Sequence, residues 1–217
     1  EKKVRAVWGY PATMTFGEAV FALPLIQAYQ KTISPIAYGY ETAIGGTQRL
    51  IRECSFPDYK CAIDFRKFDK TVPKWLIEIA FDILSLNIDF VQYRDHGVAD
   101  ATRCLRMFNA IKHYFVHTPI RLCNGERFKK RSGIASGSYF TQLIGSVVNY
   151  ILIAWISLII NGRMPKFLKV LGDDSFFTSE SLLDLDVVQD ILNIVGMHLN
   201  IEKSAISRNI HSLSFLG

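Results

Sequence analysis

The chain has 217 residues, 49% of them hydrophobic and 12% aromatic, so it can bury a sizeable core as one globular domain or two small ones. This composition argues against a disordered chain. The net charge of +5 suits an anionic partner such as nucleic acid without establishing one. The four cysteines form no CxxC pair and have no His at metal-ligand spacing, which argues against a structural zinc site and for reduced thiols.

In the first half of the chain, the sequence predicts helices around one buried strand. The segment YKCAIDF, residues 59–65, is a short apolar run ended by charge, which is typical of a buried strand. Apolar residues at helical spacing predict a helix over 72–86, with Pro73 near its first turn. Further helices are predicted over 16–30 and 100–116.

A hairpin and a long helix come next. Residues 119–130 predict a hairpin in which Asn124 and Gly125 form a type I′ turn. The predicted helix over 139–160 contains an apolar run that is long enough to cross a membrane. Because polar residues mark one face and no basic flank anchors the run, we expect a buried helix in a protein core instead.

In the last third, two acidic residues lie at a predicted hairpin tip. Residues 166–179 predict strand, tight turn and strand, with Asp173 and Asp174 at the tip. An amphipathic helix closed by Gly196 is predicted over 182–196. Strands and helices alternate without the period of a parallel doubly wound sheet, so the predicted class is α+β, an antiparallel sheet backed by helices.

The two predicted buried strands both end in acidic residues. Asp64 ends the strand over 59–65, and Asp173 lies at the tip of the later hairpin. If the strands are neighbours in one sheet, these carboxylates reach the same edge, where a divalent cation would convert their repulsion into coordination. Magnesium suits such a site, and two ions together support phosphoryl transfer.

Each motif alone also has a simpler explanation. A lone GDD is often an ordinary turn, because Gly and Asp are both turn formers. The segment DFRKFD is also explained as a strand end followed by a helix cap, and SGIASGSYFT as a flexible loop before a helix. The order of the three is more specific than any of them: an acid at a strand end, a Ser/Gly loop into a long helix, then acids at a hairpin tip.

In that order the motifs resemble motifs A, B and C of the palm of viral RNA-dependent RNA polymerases, most closely those of partitiviruses: AIDFRKFDKTVP, SGSYFTQLIGSVVN and LGDDS. The segment KKVRAVWGYP resembles motif F of the fingers, GMHLNIEKSAIS resembles motif D, and HSLSFLG resembles the start of motif E. The resemblance implies a right-hand polymerase palm with an RRM-like antiparallel sheet backed by helices, part of the fingers and no thumb.

The resemblance also implies domain bounds. Residues 1–57 are expected to be partial fingers including motif F, and 58–217 the palm, with a fingers-type insertion around 87–131. Because the chain starts at Glu1 and ends on an apolar run, we expect it to be a segment of a longer polypeptide, inactive on its own if fingers and thumb are needed.

The resemblance assigns the acids to catalysis and substrate recognition. Asp64 and Asp173 would be the principal ligands of two Mg²⁺ or Mn²⁺ ions, and Asp174 would assist as a third metal-site acid. Asp69 would accept a hydrogen bond from the ribose 2′-OH of the incoming nucleotide, which favours ribonucleotides. Lys203 would protonate the departing pyrophosphate as a general acid.

Other residues are assigned to substrate binding. Ser136 and Gly137 resemble the motif B loop beside the nascent base pair, and Thr141 begins the helix behind it. Asn149 stands eight residues after Thr141, about 12 Å along a helix, so it is either a ribose contact or an Asn satisfied in the core.

Basic residues complete the expected substrate contacts. Lys3 and Arg5 would bind the triphosphate. The basic residues of the predicted hairpin either line an RNA channel or form a solvated edge: Arg127, Lys129, Lys130 and Arg131.

Three functions remain open from the sequence. The favoured one is a polymerase that copies an RNA template from ribonucleoside triphosphates for viral replication and transcription. Its expected partners are template and product RNA and nucleotides, with a viral capsid protein as a further candidate and no membrane, and its expected location is the viral particle in the host cytoplasm. The alternatives are an inactive endogenised RNA-binding relic, and a reverse transcriptase or metal-dependent nuclease.

Overall fold

An antiparallel sheet organises the chain in our computed structural model, which describes residues 9–93, 95 and 97–216. In the described residues, the strands of the main sheet lie in the order β4-β5-β1-β6, and a separate hairpin consists of β2 and β3. The strands are β1 (Tyr59–Ile63), β2 (Pro119–Arg121), β3 (Arg127–Lys129), β4 (Leu168–Leu171), β5 (Asp174–Ser179) and β6 (Ala205–Ser207).

Helices surround this sheet and confirm the predicted α+β class. They are α1 (Ala12–Lys31), α2 (Gly46–Glu53), α3 (Phe68–Thr71), α4 (Lys74–Ser85), α5 (Ala101–Val116), α6 (Phe140–Asn161) and α7 (Leu185–Asn193). The helix predicted over 72–86 begins after Pro73, which is the N-cap of α4. Proline suits this position because it has no backbone N–H to leave unpaired at a helix start.

The prediction of a type I′ turn in the β2–β3 hairpin is wrong. Such a turn needs positive φ at both central residues, and Lys67 and Leu216 are the non-glycine residues with positive φ in the described chain. Gly125 alone adopts it here, at 91°, and its N–H donates to the carbonyl of Leu122. The loop is therefore a three-residue connection in which a turn is followed by a left-handed glycine.

Alternation along β5 places apolar residues on both faces of the sheet. Phe177 packs into the main core with the helices, and Phe176 packs into a smaller cluster with Tyr40, Leu50 and Cys54. Successive side chains of a strand point to opposite faces. The sheet is therefore covered on both sides. At one end of its strands, β1 stops beside the turn that joins β4 to β5.

The long helix α6 lies inside the main core, as predicted. Among the described residues it is the one helix long and apolar enough to cross a membrane, yet 61% of its most apolar window is buried within the domain. Its Phe140 ring packs against Phe81 of α4 at 5.1 Å between centroids. Farther along, α6 packs against β4 and β5.

The loop that leads into α6 is fixed to the segment that follows β1. Gly133 donates its N–H to the carbonyl of Val72 at 2.7 Å, and Ile134 donates to that of Asp69 at 2.7 Å. Gly133 has a φ of +83°, and a Cβ there would lie 2.4 Å from the carbonyl oxygen of Asp69. Contact this close excludes every side chain, so glycine is required at this position for steric as well as conformational reasons.

We expect Gly133→Ala to destabilise the fold by about 3 kcal/mol or more, since it adds a steric clash to the strain of a left-handed alanine. Gly125→Ala is the matched control, because Gly125 has a similar φ of +91° but nothing within 4 Å of the point that a Cβ would occupy. We expect this control to lower the free energy of unfolding by only about 1–2 kcal/mol. Urea denaturation of both variants measures the difference, and equal losses would contradict the proposed contact.

Candidate active site

Asp64 and the β4–β5 turn lie at the same edge of the sheet. Strand β1 pairs antiparallel with β5, and Ile63 lies opposite Ser175. The next step in this register sets Asp64 opposite Asp174, and Asp173 precedes Asp174 in the turn. The prediction that the strand ending near residue 64 and the hairpin tip meet at one edge is therefore confirmed.

The turn that carries the acids is short. Leu171 pairs with Asp174, so Gly172 and Asp173 alone connect the two strands. Gly172 has a φ of 62°, in the left-handed region that glycine adopts without a steric penalty. The Asp173 side chain is exposed at the tip, and Asp174 is half-buried.

Side chains of helix α6 hold this turn through hydrogen bonds to its backbone. The hydroxyl of Ser146 accepts a hydrogen bond from the N–H of Gly172 at 2.8 Å, and the Asn149 amide donates to the carbonyls of Gly172 and Asp174 at 3.1 and 3.0 Å. Gly145 lets the helix approach, because a Cβ there would lie 3.3 Å from the Gly172 Cα. The backbone of the acidic turn is thus bonded to one helix face.

These contacts bear on the two predicted roles of Asn149. The residue is fully buried, and its amide nitrogen contacts the turn rather than an open cavity. Its Oδ1 has no hydrogen-bond partner among the described residues. In this structure Asn149 is a buried residue that holds the turn through its amide nitrogen, which favours the core role, and a ribose contact stays a prediction.

Asp64 is positioned by the segment that resembles motif D. The Asn200 amide donates to Asp64 Oδ2 at 2.7 Å, and the N–H of Asn200 donates to the Asp64 carbonyl at 2.8 Å. The backbone N–H of Asp64 donates to the hydroxyl of Ser204 at 3.2 Å. Lys203 is exposed in the turn between these two residues. The loop that carries Lys203 is therefore attached directly to the Asp64 backbone and side chain.

The three acids interact electrostatically. Burial raises the pKa of Asp174, and the charges of Asp173 and Asp64 raise it further. This increase shows that the carboxylates repel one another across a partly desolvated edge. A cation placed between them would relieve that repulsion.

The donor set fits a divalent cation, although the acids do not form a closed cluster. Carboxylate oxygens are the ligands that Mg²⁺ and Mn²⁺ prefer. Among residues 9–93, 95 and 97–216, however, no three metal-ligating side chains lie close enough together to form a ready site. The observation that supports the fit is the donor chemistry, since the strand register brings the carboxylates of Asp64, Asp173 and Asp174 to one end of the sheet.

A cavity of about 370 Å³ opens beside the acidic turn. Its lining includes Asp173 and Asp174 of the turn together with Asp69 and Thr141. Asp69 lies in α3, which follows the left-handed residue Lys67. The structure thus brings Asp69 and Thr141 to the same opening as the acidic pair, as the motif order predicts.

The predicted motif B residues lie just before α6. Ser136 and Gly137 form an exposed turn in which Gly137 has a φ of 103°. The Thr141 hydroxyl donates to the Ala135 carbonyl at 2.8 Å, so Thr141 fixes the start of this turn.

The basic residues fall into three groups. Lys3 and Arg5 lie outside the described residues. In the hairpin, Arg127, Lys129 and Arg131 are exposed. Lys130 is buried over the Phe115 ring, and burial, with the nearby Lys74, lowers its pKa to about 8.

Several positioning residues are not predicted by the motifs. Ser146 carries a recognisable signal, because it and Asn149 are polar residues three apart on an otherwise apolar helix. Asn200 and Ser204 carry none, since they contact Asp64 from more than a hundred residues along the chain.

Comparisons with known proteins agree with this geometry. The family profile described as viral RNA-dependent RNA polymerase matches residues 1–217. The chain is 32% identical over 218 residues to an RNA-directed RNA polymerase of Cryptosporidium parvum virus 1, covering 94% of this chain and 38% of that protein. It is 23% identical over 239 residues to one from White clover cryptic virus 1, covering 99% of this chain and 39% of that protein.

Solved structures show the same fold. The RNA-dependent RNA polymerase of a human picobirnavirus matches with a TM-score of 0.74 at 20% identity, over 95% of this chain and 37% of that one. The likeness supports the expected palm, with its antiparallel sheet and helices. The chain spans well under half the length of the proteins it matches. By its sequence and its fold, it belongs to the viral RNA-dependent RNA polymerase family.

Proposed function

We propose that this chain is the catalytic part of a polymerase that extends an RNA 3′-hydroxyl with ribonucleoside triphosphates on an RNA template. The observation that carries the proposal is the meeting of Asp64 with Asp173 and Asp174 at one sheet edge, beside a cavity. The names of the relatives support the reaction type. At this end of the sheet, the acidic turn shares the lining of the cavity with Asp69 and Thr141.

Asp64 and Asp173 would hold two Mg²⁺ or Mn²⁺ ions, with Asp174 adding negative charge. When bound, these ions supply charge stabilisation to the attacking and leaving oxygens of an in-line displacement. The chain contributes by fixing its acids: Asn200 and Ser204 orient Asp64, and the bonds to α6 orient the turn of Asp173. The exposed tip leaves Asp173 accessible to a nucleotide.

Residues around the cavity would recognise the nucleotide. Asp69 would accept a hydrogen bond from the ribose 2′-OH, because it is exposed and lines the same cavity as the acidic turn. Ser136 and Gly137 would contact the nascent base pair from the turn before α6. Lys203 would deliver a proton to pyrophosphate from the loop attached to Asp64.

The wider assignments are also proposals, and the family resemblance supports them. Lys3 and Arg5 would bind the triphosphate. Residues 1–57 would belong to the fingers and 58–217 to the palm, and the exposed cations of the β2–β3 hairpin would face RNA phosphates. The protein would act in the viral particle in the host cytoplasm, with a capsid protein as neighbour.

We expect Asp173→Asn to reduce RNA synthesis by roughly 10³-fold or more, since metal-assisted charge stabilisation is worth several kcal/mol. Because Asp173 is exposed at a turn, the melting temperature of the variant protein should stay near that of wild type. Primer extension on an RNA template by the full polymerase that contains this chain measures the effect.

Asp190→Asn serves as the control for Asp173→Asn, because Asp190 is an exposed acid on α7. Full activity is expected in this variant. Undiminished synthesis by the Asp173 variant would contradict the proposed role of the turn. A soluble wild-type protein that binds RNA but shows no metal-dependent RNA synthesis would instead indicate an inactive RNA-binding relic.

Asp69→Ala should lower discrimination between ribonucleotides and deoxyribonucleotides by roughly 10- to 100-fold, the worth of one hydrogen bond to a charged acceptor. The ratio of kcat/KM values for the two nucleotides measures this loss. Lys70→Ala, the next exposed residue of α3, is the control and should leave the ratio unchanged. A wild-type preference for deoxyribonucleotides would identify a reverse transcriptase and overturn the proposal.

A further inference from the structure

Helix α1 contains a buried carboxylate that the proposed mechanism does not use. Glu18 is 0% exposed. Within the described part of the chain, it forms no ion pair with a cation. A buried carboxylate is costly unless hydrogen-bond donors replace its water. The groups that donate hydrogen bonds to the Glu18 carboxylate therefore show which part of the chain it holds in place.

Three donors converge on the two oxygens of Glu18. The Tyr10 hydroxyl donates to Oε1 at 2.7 Å. The hydroxyl of Ser138 and the backbone N–H of Tyr139 donate to Oε2 at 2.8 and 3.0 Å. Burial raises the pKa of Glu18, whereas the bonds from Tyr10, Ser138 and Tyr139 lower it. Two of the three bonds come from a segment 120 residues away along the chain.

These bonds cap helix α6 from outside the helix. Tyr139 is the N-cap of α6, and no side-chain bond from this residue itself caps the helix. Glu18 accepts the N–H of Tyr139, and the Ser138 hydroxyl accepts that of Phe140 at 3.0 Å. A negative charge at a helix N-terminus is also favoured by the helix dipole. Glu18 therefore fixes the first turn of the helix that holds the acidic turn.

The same bonds fix one end of the exposed turn of Ser136 and Gly137. On its C-terminal side, Ser138 is bonded to Glu18. On its N-terminal side, the carbonyl of Ala135 accepts the hydroxyl of Thr141. Between these anchors, Gly137 has a left-handed φ of 103°. The turn is thus restrained on both sides, although its own side chains are exposed.

We propose that Glu18 is a positioning residue that sets the Ser136–Gly137 turn against the nascent base pair. This inference rests on the proposed function for the role of the turn, although the hydrogen bonds stand without it. Glu18 acts through Ser138 and Tyr139 and contacts no substrate. Its effect should therefore appear in the kinetics of nucleotide incorporation and in the local mobility of the turn.

The two central variants are Glu18→Met and Glu18→Gln in the full polymerase. Methionine keeps the length of the side chain but accepts none of the three bonds, so kcat/KM should fall by roughly 100-fold. Glutamine can accept from Ser138 and Tyr139 through its amide oxygen while its NH₂ group donates to the Tyr10 oxygen. It should retain kcat/KM within about threefold of wild type.

Tyr10→Phe is the matched control, because it removes one bond to Glu18 but leaves the two that reach the turn. It should lower the melting temperature while the amides of residues 138–141 exchange near the wild-type rate. If Tyr10→Phe and Glu18→Met speed exchange at residues 138–141 equally, Glu18 only stabilises the fold. Full activity of Glu18→Met at wild-type KM would overturn the proposal directly.

Hydrogen exchange gives a readout that needs no activity. In Glu18→Met, the amides of residues 138–141 should exchange at least about tenfold faster, while those of β1 and β5 remain protected. Ser138→Ala is the second variant if Glu18→Met fails to fold, and it should show the same local increase. Unchanged exchange of these amides would refute the proposed positioning role of Glu18. If the wild-type polymerase makes no RNA, the proposed function fails. Hydrogen exchange at residues 138–141 still tests whether Glu18 holds the start of α6.

Discussion

The site depends on the docking of the Gly172–Asp174 turn onto one face of α6. Two adjacent carboxylates repel each other, and the partial burial of Asp174 adds a desolvation cost that raises its pKa. The helix offsets this cost by bonding the turn's backbone rather than its charges: Ser146 accepts an N–H, and Asn149 donates to two carbonyls. The carboxylates remain free to point toward the opening. This explains how an acidic pair persists in so apolar a setting.

Much of the fold follows from the sequence because local patterns specify its elements. The buried strand before Asp64, the helix after Pro73, the long helix α6 and the acidic hairpin all lie close to their predicted positions. The motif order also predicts the meeting of Asp64 with the hairpin tip. The turn at Asn124 is wrongly predicted because the extra loop residue permits a different backbone conformation, in which only Gly125 needs positive φ.

The contacts that position the site are harder to predict, because they join residues distant in sequence. Gly133 looks like any loop glycine until its approach to the Asp69 carbonyl is known. Glu18 looks like a surface charge on a helix, yet it is buried and bonded to the start of α6. Asn149 matches the family pattern, but only the structure shows that it faces the turn. Sequence patterns therefore predict which residues lie at the candidate site better than which residues hold them in place.

The proposed reaction requires that Asp64 and Asp173 share a divalent cation. The most direct measurement is a crystal structure of the full polymerase with an RNA primer-template, a non-hydrolysable ribonucleotide and Mn²⁺, with the ions located by anomalous scattering. Our account predicts one manganese ion bound by oxygens of both Asp64 and Asp173. Manganese bound only at the hairpin tip, with the Asp64 side chain turned away and still bonded to Asn200 alone, would contradict it.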